Sequence, residues 1–275
     1  MDSIVQAFVM GIVQGLTEFL PVSSSAHLII VPWLFGWDDA FITSLAFSVM
    51  LHLGTLIALL IYFRGDWVRL IPAGFAAVRD RSFAGDADRK LAWLLLAATV
   101  PAAIVGALFS DIFETQVRHV GIVALTLVAG GVILWVADHV GARTKDVDDV
   151  TFRVAVGIGA AQAIALVPGI SRSGISISAA RFAGLDREAA ARFAFLMATP
   201  ITAGAILFEA RKLVTGEAGV AVETVPLIVG LVASLVSGII AIRFMLGYLR
   251  TRSLDIFVVY RVILAAIVTI IWLAR

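Results

Sequence analysis

The fold is decided by an apolar stretch that starts as a helix and then breaks: residues 3–31, SIVQAFVMGIVQGLTEFLPVSSSAHLIIV. Pro21 and the serines at 23–25 interrupt the helix before it reaches the roughly 20 residues that a bilayer crossing needs. Proline breaks a helix, and a freed backbone group survives at membrane depth only inside protein or beside a wet cavity. We therefore expect a re-entrant hairpin of two short helices over 3–31.

Residues 154–184, VAVGIGAAQAIALVPGISRSGISISAARFAG, form a second stretch of the same kind. An offset of 148 residues superposes four residues of the two stretches, Gly11 on Gly159, Gln14 on Gln162, Ser23 on Ser171 and Ser25 on Ser173. Apolar bias does not produce matching polar positions, so coincidence between two apolar sequences is the weaker explanation. We predict two repeats, 1–140 and 150–275, each with one hairpin and three spans, that together form one membrane domain.

The composition is that of an integral membrane protein. Hydrophobic residues make up 61% of the 275 residues, charged residues 15%, and the mean hydropathy is +1.02. Soluble domains are nearer to about 45–50% apolar and about 25% charged. Because 21 basic residues face 20 acidic ones, we expect no nucleic-acid partner. The absence of cysteine excludes disulfides, zinc–thiolate sites and cysteine nucleophiles.

Six further apolar runs are long enough to cross a bilayer, at 42–63, 91–109, 120–138, 191–210, 225–246 and 256–273. Basic residues concentrate between or beside them in four segments, 64–90, 139–153, 181–192 and 247–255, which the positive-inside rule places in the cytoplasm. We expect 110–119, with Arg118 as its one basic residue, to lie outside, and the charged run 79–90 to be a solvated loop. The predicted fold class is all-α, with six transmembrane helices and two re-entrant hairpins in an inverted-topology repeat.

Each predicted hairpin carries a single charge. Glu18 is the only charged residue of 3–37, and Arg172 is the only one of 154–180. A charge in a membrane segment costs about 2.5–3.5 kcal/mol on insertion scales, so each of the two needs a partner or a function. A purely structural Glu18–Arg172 ion pair is one interpretation. A functional site is the other, and the serines and glycines around both charges favour it.

The polar groups of the second hairpin suit a diphosphate. The guanidinium of Arg172 matches phosphate oxygens, Ser171 and Ser173 flank it, and Gly169 lets the backbone approach closely. Helices that start near Ser24 and Ser173 would aim their free N–H groups at the same place. We therefore predict a site for an anion that carries more than one charge.

The first hairpin supplies acid–base groups. Gln14 and Glu18 are four residues apart and share one helix face, which can hold a divalent cation or a water. His27, three residues after Ser24, can transfer protons near neutral pH. His52, a lone histidine in the next apolar run, is interpreted as a hydrogen-bonded structural residue.

These motifs resemble those of one known family. Residues 14–27, QGLTEFLPVSSSAH, resemble the (Glu/Gln)-x-x-x-Glu motif and following serine–histidine segment of the undecaprenyl-diphosphate phosphatases linked to bacitracin resistance. Residues 168–176, PGISRSGIS, resemble that family's second motif, Pro-Gly-x-Ser-Arg-Ser-x-x-Thr. Two positions depart from it: Gln14 occupies the first acidic position, and Ser176 replaces the final threonine while keeping a hydroxyl.

The resemblance implies a multi-pass enzyme of the bacterial inner membrane that hydrolyses the terminal phosphate of undecaprenyl diphosphate. The product, undecaprenyl phosphate, is the lipid carrier that cell-wall synthesis reuses. The resemblance also implies a divalent cation, Mg²⁺ or Ca²⁺, and a site that opens to the periplasmic side. The expected partners are the lipid diphosphate and membrane lipids. A homodimer is compatible with the sequence, which does not select an oligomeric state.

We assign hypothetical roles to these residues. Arg172 holds the diphosphate, and Glu18 binds the cation or orients the nucleophile with support from Gln14. Ser24 is the preferred nucleophile, activated by His27; direct attack by water with His27 as base is the alternative. The remaining substrate-binding candidates are Ser23, Ser25, Gly169, Ser171, Ser173 and Ser176.

Other functional classes account for fewer of these features. A polyprenyl-phosphate transporter is the main alternative, because inverted repeats with broken helices serve many carriers. A structural scaffold leaves Glu18 and Arg172 without a reason. No Gly-x-x-x-x-Gly-Lys-Ser/Thr motif is present, which excludes a P-loop nucleotidase. Ser178 stands where the Ser-Arg-x5-His signature of lipid phosphatases requires histidine.

Overall fold

The computed structural model of the protein describes residues 2–83, 85–115, 117–141, 144–217 and 219–275. The segments 110–119 and 139–153, predicted to lie outside and in the cytoplasm, are therefore described in part, and positions 116 and 142–143 in them lie outside the described residues. Within the described ranges the chain is helical, with one isolated bridge between Lys145 and Leu185 and no β-strand, which confirms the all-α class. The α-helices are α1 (Ser3–Phe19), α2 (Ser24–Phe35), α3 (Leu45–Tyr62), α4 (Arg64–Asp80), α5 (Ala87–Thr115), α6 (Val120–Val140), α7 (Phe152–Ala163), α8 (Arg172–Phe182), α9 (Arg187–Thr215), α10 (Thr224–Leu249) and α11 (Asp255–Ala274).

Six helices in the described residues are long and apolar enough to cross a membrane. Each coincides with one of the six predicted spans, so the number and order of these long apolar helices are confirmed. They are Leu45–Tyr62, Ala87–Phe109, Val120–Val140, Arg187–Leu213, Thr224–Leu249 and Asp255–Ala274.

The stretches 3–31 and 154–184 are each two short helices separated by a break. We call the connection between α1 and α2 the first break and that between α7 and α8 the second break. Ser23 and Ser171 end these breaks with φ of 74° and 77°, a region that non-glycine residues rarely adopt. Each serine also caps the helix that follows it, because its hydroxyl accepts the backbone N–H three residues on.

Small residues bring α1 deep into the helix bundle against α10. A Cβ on Gly11 would collide with the carbonyl of Gly230, and a Cβ on Gly15 would collide with Ser237. Such residues let helix backbones approach closely in membranes. The second half repeats the device, since a Cβ on Gly159 of α7 would collide with the carbonyl of Ala98 on α5. Both short helices are therefore held by spans of the opposite half.

A buried charge cluster joins four elements at one end of the bundle. Asp138, at the end of α6, is fully buried and receives two hydrogen bonds from Arg187 at 2.7 and 2.9 Å. It also accepts the backbone N–H of Leu254 and lies 3.4 Å from the guanidinium of the fully buried Arg181. These contacts fix the start of α9 and the α10–α11 connection to the end of α6.

Helix α4 was not predicted, because its segment was assigned only to the cytoplasmic side. Its apolar residues Val68, Ile71, Phe75 and Val78 repeat with helical spacing and are all exposed. The run 79–90 is also less loop-like than predicted, since α4 extends to Asp80 and α5 begins at Ala87. The sequence pattern was obscured by the arginines that interrupt the apolar residues.

Candidate active site

The end of α1 places Gln14 and Glu18 together, as their spacing predicts. The Gln14 amide Nε2 donates to Glu18 Oε2 at 3.1 Å, and both side chains are buried. The glycines that seat α1 against α10 cause this burial, because they leave its polar face inside the protein. The second polar atom of Gln14, Oε1, is buried without a hydrogen-bond partner in the described residues.

The carboxylate of Glu18 contacts the first residue of each helix that follows a break, Ser24 of α2 and Arg172 of α8. Its Oε1 lies 3.2 Å from Nη2 of Arg172, and its Oε2 accepts the hydroxyl of Ser24 at 2.5 Å. Arg172 also donates from Nη1 to the hydroxyl of Thr202 on α9 at 2.5 Å. The Arg172 side chain is 25% exposed, so these contacts do not bury it completely.

His27 has two hydrogen bonds that define its neutral tautomer. Its Nδ1 lies 2.7 Å from the carbonyl of Ser23, and its Nε2 lies 2.7 Å from the hydroxyl of Tyr260. A carbonyl can only accept, so Nδ1 carries the proton and Nε2 accepts from Tyr260 in the neutral ring. The single hydroxyl proton of Ser24 is directed to Glu18, so the group placed to receive it here is Glu18 and not His27.

Serines line the two breaks in matching positions. Ser23 and Ser25 have their hydroxyl oxygens 3.2 Å apart, and so do Ser171 and Ser173. Ser173 also donates to the carbonyl of Leu20 at 3.1 Å, which links the second break directly to the first. Helices α2 and α8 start here, and the N–H groups of a first helical turn have no acceptor within their own helix. The two helix N-termini therefore lie beside the Glu18–Arg172 contact.

Gly169 and Ser176 have distinct surroundings. Gly169 has φ of 98°, and a Cβ there would collide with the hydroxyl of Thr126, so no other residue fits without strain. The hydroxyl of Ser176 and both polar atoms of Gln162 are buried without partners in the part of the chain that the structure describes. Buried polar atoms of this kind are normally satisfied by water or a ligand.

The sequence analysis did not assign four residues that contact the site. One is Thr202, described above, and the others are His52, Tyr260 and Arg261. His52 was correctly expected to make a structural hydrogen bond, from Nδ1 to the carbonyl of Ser48, but its Nε2 also lies 3.4 Å from Glu18 Oε2. Tyr260 and Arg261 lie in the last span. Arg261 is the only charged residue between the ends of that span, and a charge inside a span is itself a functional signal.

Two residues of α1, Glu18 and Gln14, carry oxygen atoms for a divalent cation. The Gln14 amide, whose Nε2 faces Glu18 here, would have to turn its Oε1 toward the carboxylate to bind one. The described residues contain no group of three histidine, aspartate or glutamate side chains placed to hold a metal ion. Glu18 and the unpartnered Oε1 of Gln14 are, however, the hard oxygen donors that Mg²⁺ and Ca²⁺ prefer. Mg²⁺ is commonly held by one or two carboxylates together with substrate phosphates and water. The residues present therefore fit an ion that binds together with a phosphorylated substrate.

Comparison with known proteins gives consistent matches over the whole chain. The family described as "Bacitracin resistance protein BacA" matches residues 7–267. A protein named undecaprenyl-diphosphatase from Desulforudis audaxviator is 45% identical over 270 residues, which cover 98% of both chains. A protein of the same name from Moorella thermoacetica is 44% identical over 99% of this chain and 100% of its own. Another, from Thermodesulfovibrio yellowstonii, is 40% identical over the full length of both chains.

Proposed function

The chain belongs to the bacitracin resistance protein BacA family, and on that premise we propose that it is an undecaprenyl-diphosphatase. It hydrolyses the terminal phosphate of undecaprenyl diphosphate and releases undecaprenyl phosphate for reuse in cell-wall synthesis. The observation that carries the proposal is the contact of Glu18 with both Ser24 and Arg172 inside an apolar helix bundle. That contact would let the proposed nucleophile, base and anion-binding group act on the same phosphate.

Substrate binding rests on positive charge from two sources. Arg172, whose side chain is 25% exposed, would offer its guanidinium, and the N-termini of α2 and α8 would add N–H groups and partial positive charge. The hydroxyls of Ser23, Ser25, Ser171, Ser173 and Ser176 supply further hydrogen bonds. Inside a site of low dielectric constant, such donors stabilise charge on a transferring phosphoryl group better than they would in solution.

The geometry favours Ser24 as nucleophile with Glu18 as its base. The Ser24 oxygen would form a bond to the terminal phosphorus while the bond from that phosphorus to the bridging oxygen breaks and undecaprenyl phosphate leaves. The hydroxyl proton would pass to Glu18 Oε2, which it already faces. Water would then attack the phosphoserine: its oxygen bonds to phosphorus, its two protons leave with inorganic phosphate, and the bond from phosphorus to Ser24 breaks as Ser24 regains its proton from Glu18.

Direct attack by water with His27 as base remains the second mechanism. It requires His27 to exchange one of its present partners, the Ser23 carbonyl or the Tyr260 hydroxyl, for the water. Such rearrangement is common, since catalytic hydrogen bonds often form only with the substrate bound. The two mechanisms differ in whether Ser24 becomes phosphorylated.

We include a divalent cation, Mg²⁺ or Ca²⁺, in the proposal. Glu18 and Gln14 would hold it, and when bound it would neutralise charge on the diphosphate oxygens. Because Glu18 also contacts Arg172 and Ser24, cation and guanidinium would share the same carboxylate. A chelator should therefore lower turnover and weaken substrate binding.

We also propose that 3–31 and 154–184 enter the membrane from opposite sides as re-entrant hairpins of an inverted repeat. The matching serine caps and positive-φ residues of the two breaks support this arrangement. So does the packing, since α1 of the first half contacts α10 and α7 of the second half contacts α5. The protein would lie in the bacterial inner membrane with its site open to the periplasmic side.

The same repeat packing favours one second candidate, a polyprenyl-phosphate carrier, alone or as an additional activity. Phosphate release from a C55 diphosphate by pure protein in detergent separates the two, because micelles have no compartments to transport between. We expect release by the wild type, a loss of about 10²-fold or more with Glu18→Gln, and wild-type turnover with Glu223→Gln, an exposed control. A wild type that binds the lipid but releases no phosphate would contradict the proposed function.

A further inference from the structure

Arg261 of α11 has a set of contacts that the proposed reaction does not explain. Its side chain is fully buried, and every hydrogen bond that its guanidinium makes in the described chain ends on a backbone carbonyl. One acceptor, Pro21 at 3.1 Å, belongs to the first break, and two, Gly169 at 2.7 Å and Ile170 at 3.1 Å, belong to the second. The same side chain also donates to α6, at the carbonyls of Thr126 and Leu127.

The positions of these carbonyls relate Arg261 to the strained ends of both breaks. The Ile170 carbonyl belongs to the peptide that leads into Ser171, and the Pro21 carbonyl lies two residues before Ser23. A non-glycine residue at positive φ costs about 1–3 kcal/mol and persists only where its surroundings determine the backbone. Because a peptide group is planar, holding its carbonyl also fixes the direction of the following N–H group. Arg261 is therefore placed to hold both breaks in the conformation that starts α2 and α8 beside Glu18.

We propose that Arg261 is a positioning residue of the phosphatase reaction: its guanidinium fixes the backbone of both breaks so that the N-termini of α2 and α8 face one diphosphate. The inference rests on the proposed function and adds to it the group that holds the backbones of the two breaks in place relative to each other. Arg261 acts through the backbone and not by contact with the substrate. Because Ser24 and Arg172 are the first residues of α2 and α8, a shifted break would misalign the attacking oxygen and the cation that stabilises the transferring phosphoryl group. Contacts that matter most in the transition state lower kcat when they are lost, so kcat should fall more than KM.

Two adjacent glycines of α6 give a matched test. A Cβ on Gly130 would collide with Nη2 of Arg261 and come within 2.7 Å of the Ile170 carbonyl. A Cβ on Gly131 would meet the nearest atom of Arg261, its Nε, at 3.6 Å, an ordinary contact. Gly130→Ala therefore displaces the guanidinium while Gly131→Ala does not, although both make the same change in the same helix.

Arg261→Lys is the second variant. It keeps the positive charge but replaces a planar fork of five donors by one ammonium, which cannot bond the carbonyls of both breaks and α6 together. For Gly130→Ala and Arg261→Lys we expect kcat to fall about 10²-fold, as a misplacement of about 1 Å can cause, with KM changed less than about threefold. Gly131→Ala should retain wild-type kcat. Thermal unfolding in detergent should show each variant folded.

The outcomes are decisive in each direction. The inference is overturned if folded Gly130→Ala or Arg261→Lys turns over like the wild type, if Gly131→Ala loses as much activity as Gly130→Ala, or if the losses lie in KM alone. It is also overturned if both disruptive variants fail to fold, because Arg261 is then only structural; if one fails, the other decides. A wild-type protein that releases no phosphate contradicts the proposed function instead, so the two failures are distinguishable.

Discussion

Replacing Glu18 and Arg172 together separates a catalytic contact from a structural ion pair. The single variants Glu18→Gln and Arg172→Met each leave one charge without its partner, and both hypotheses expect them to be impaired. The double variant removes both charges. If the pair only holds the two breaks together, relief of the unpaired charge should restore fold and activity alike. If the two residues act on the substrate, the double variant should regain stability and remain inactive.

The geometry sets the size of the effect. Arg172 Nη2 lies 3.2 Å from Glu18 Oε1, a distance at which two unit charges attract by about 5 kcal/mol at an effective dielectric constant of about 20. Desolvation of the buried carboxylate offsets much of that energy, and the Arg172 side chain is 25% exposed. We therefore expect a coupling of about 1–3 kcal/mol in the free energy of unfolding. The catalytic loss should be at least about 10²-fold in kcat in all three variants.

The assay combines chemical unfolding in detergent with phosphate release from a C55 diphosphate, on wild type, both single variants and the double variant. The expected result is a double variant that is more stable than the sum of the single effects and keeps less than about 1% of wild-type kcat. A double variant that recovers more than about a tenth of wild-type kcat would refute the assigned roles and leave Glu18–Arg172 as a structural pin.

Three further predictions concern other parts of the molecule. Ser24→Ala should lower kcat by about 10³-fold or more if the serine is the nucleophile; near-normal phosphate release would leave water as the attacking group. Asp138→Asn should lower the free energy of unfolding by about 3–5 kcal/mol, because it leaves the Arg187 charge without its buried partner; a loss no larger than that of the exposed control Asp80→Asn would contradict this. A spin label on a cysteine at Phe75, in a chain that has none of its own, should collide with oxygen in preference to a water-soluble nickel chelate in anionic nanodiscs, because α4 should lie in the membrane interface. A label at Asp80 should show the reverse, and equal accessibility at both sites would mean that α4 is solvated.

The spans and the breaks were predictable because their signals are local. About 20 consecutive apolar residues specify a span wherever they occur, and Pro21 or Pro168 ends a helix through its own covalent geometry. Gln14 and Glu18 share a face because the helical period alone brings residues four apart together. The serine caps are also local, because each serine hydroxyl accepts the backbone N–H group only three residues further along the chain.

The partners of these residues were not predictable, since they come from distant helices. His52 and Thr202 reach the site from α3 and α9, and nothing in their own segments separates them from other polar residues of a span. The Ser24 hydroxyl was expected beside His27, which is near in sequence. In the structure the Ser24 hydroxyl donates to Glu18, and His27 forms its side-chain hydrogen bond with Tyr260, 233 residues away. Helix α4 was missed for a related reason. Its apolar residues are recognised as one exposed face only once the packing of α4 against its neighbours is known.

The sequence by itself determined the membrane class, the six spans, the two broken stretches and the polar residues that they carry. These depend on hydropathy and backbone chemistry over a few residues at a time. Only the tertiary structure decided which acid meets which base, and that a single arginine of the last span holds the carbonyls of both breaks. Such contacts depend on how closely helices far apart in sequence approach, and that distance is set by glycines such as Gly11, Gly15 and Gly130, whose importance is visible only once their neighbours are in place.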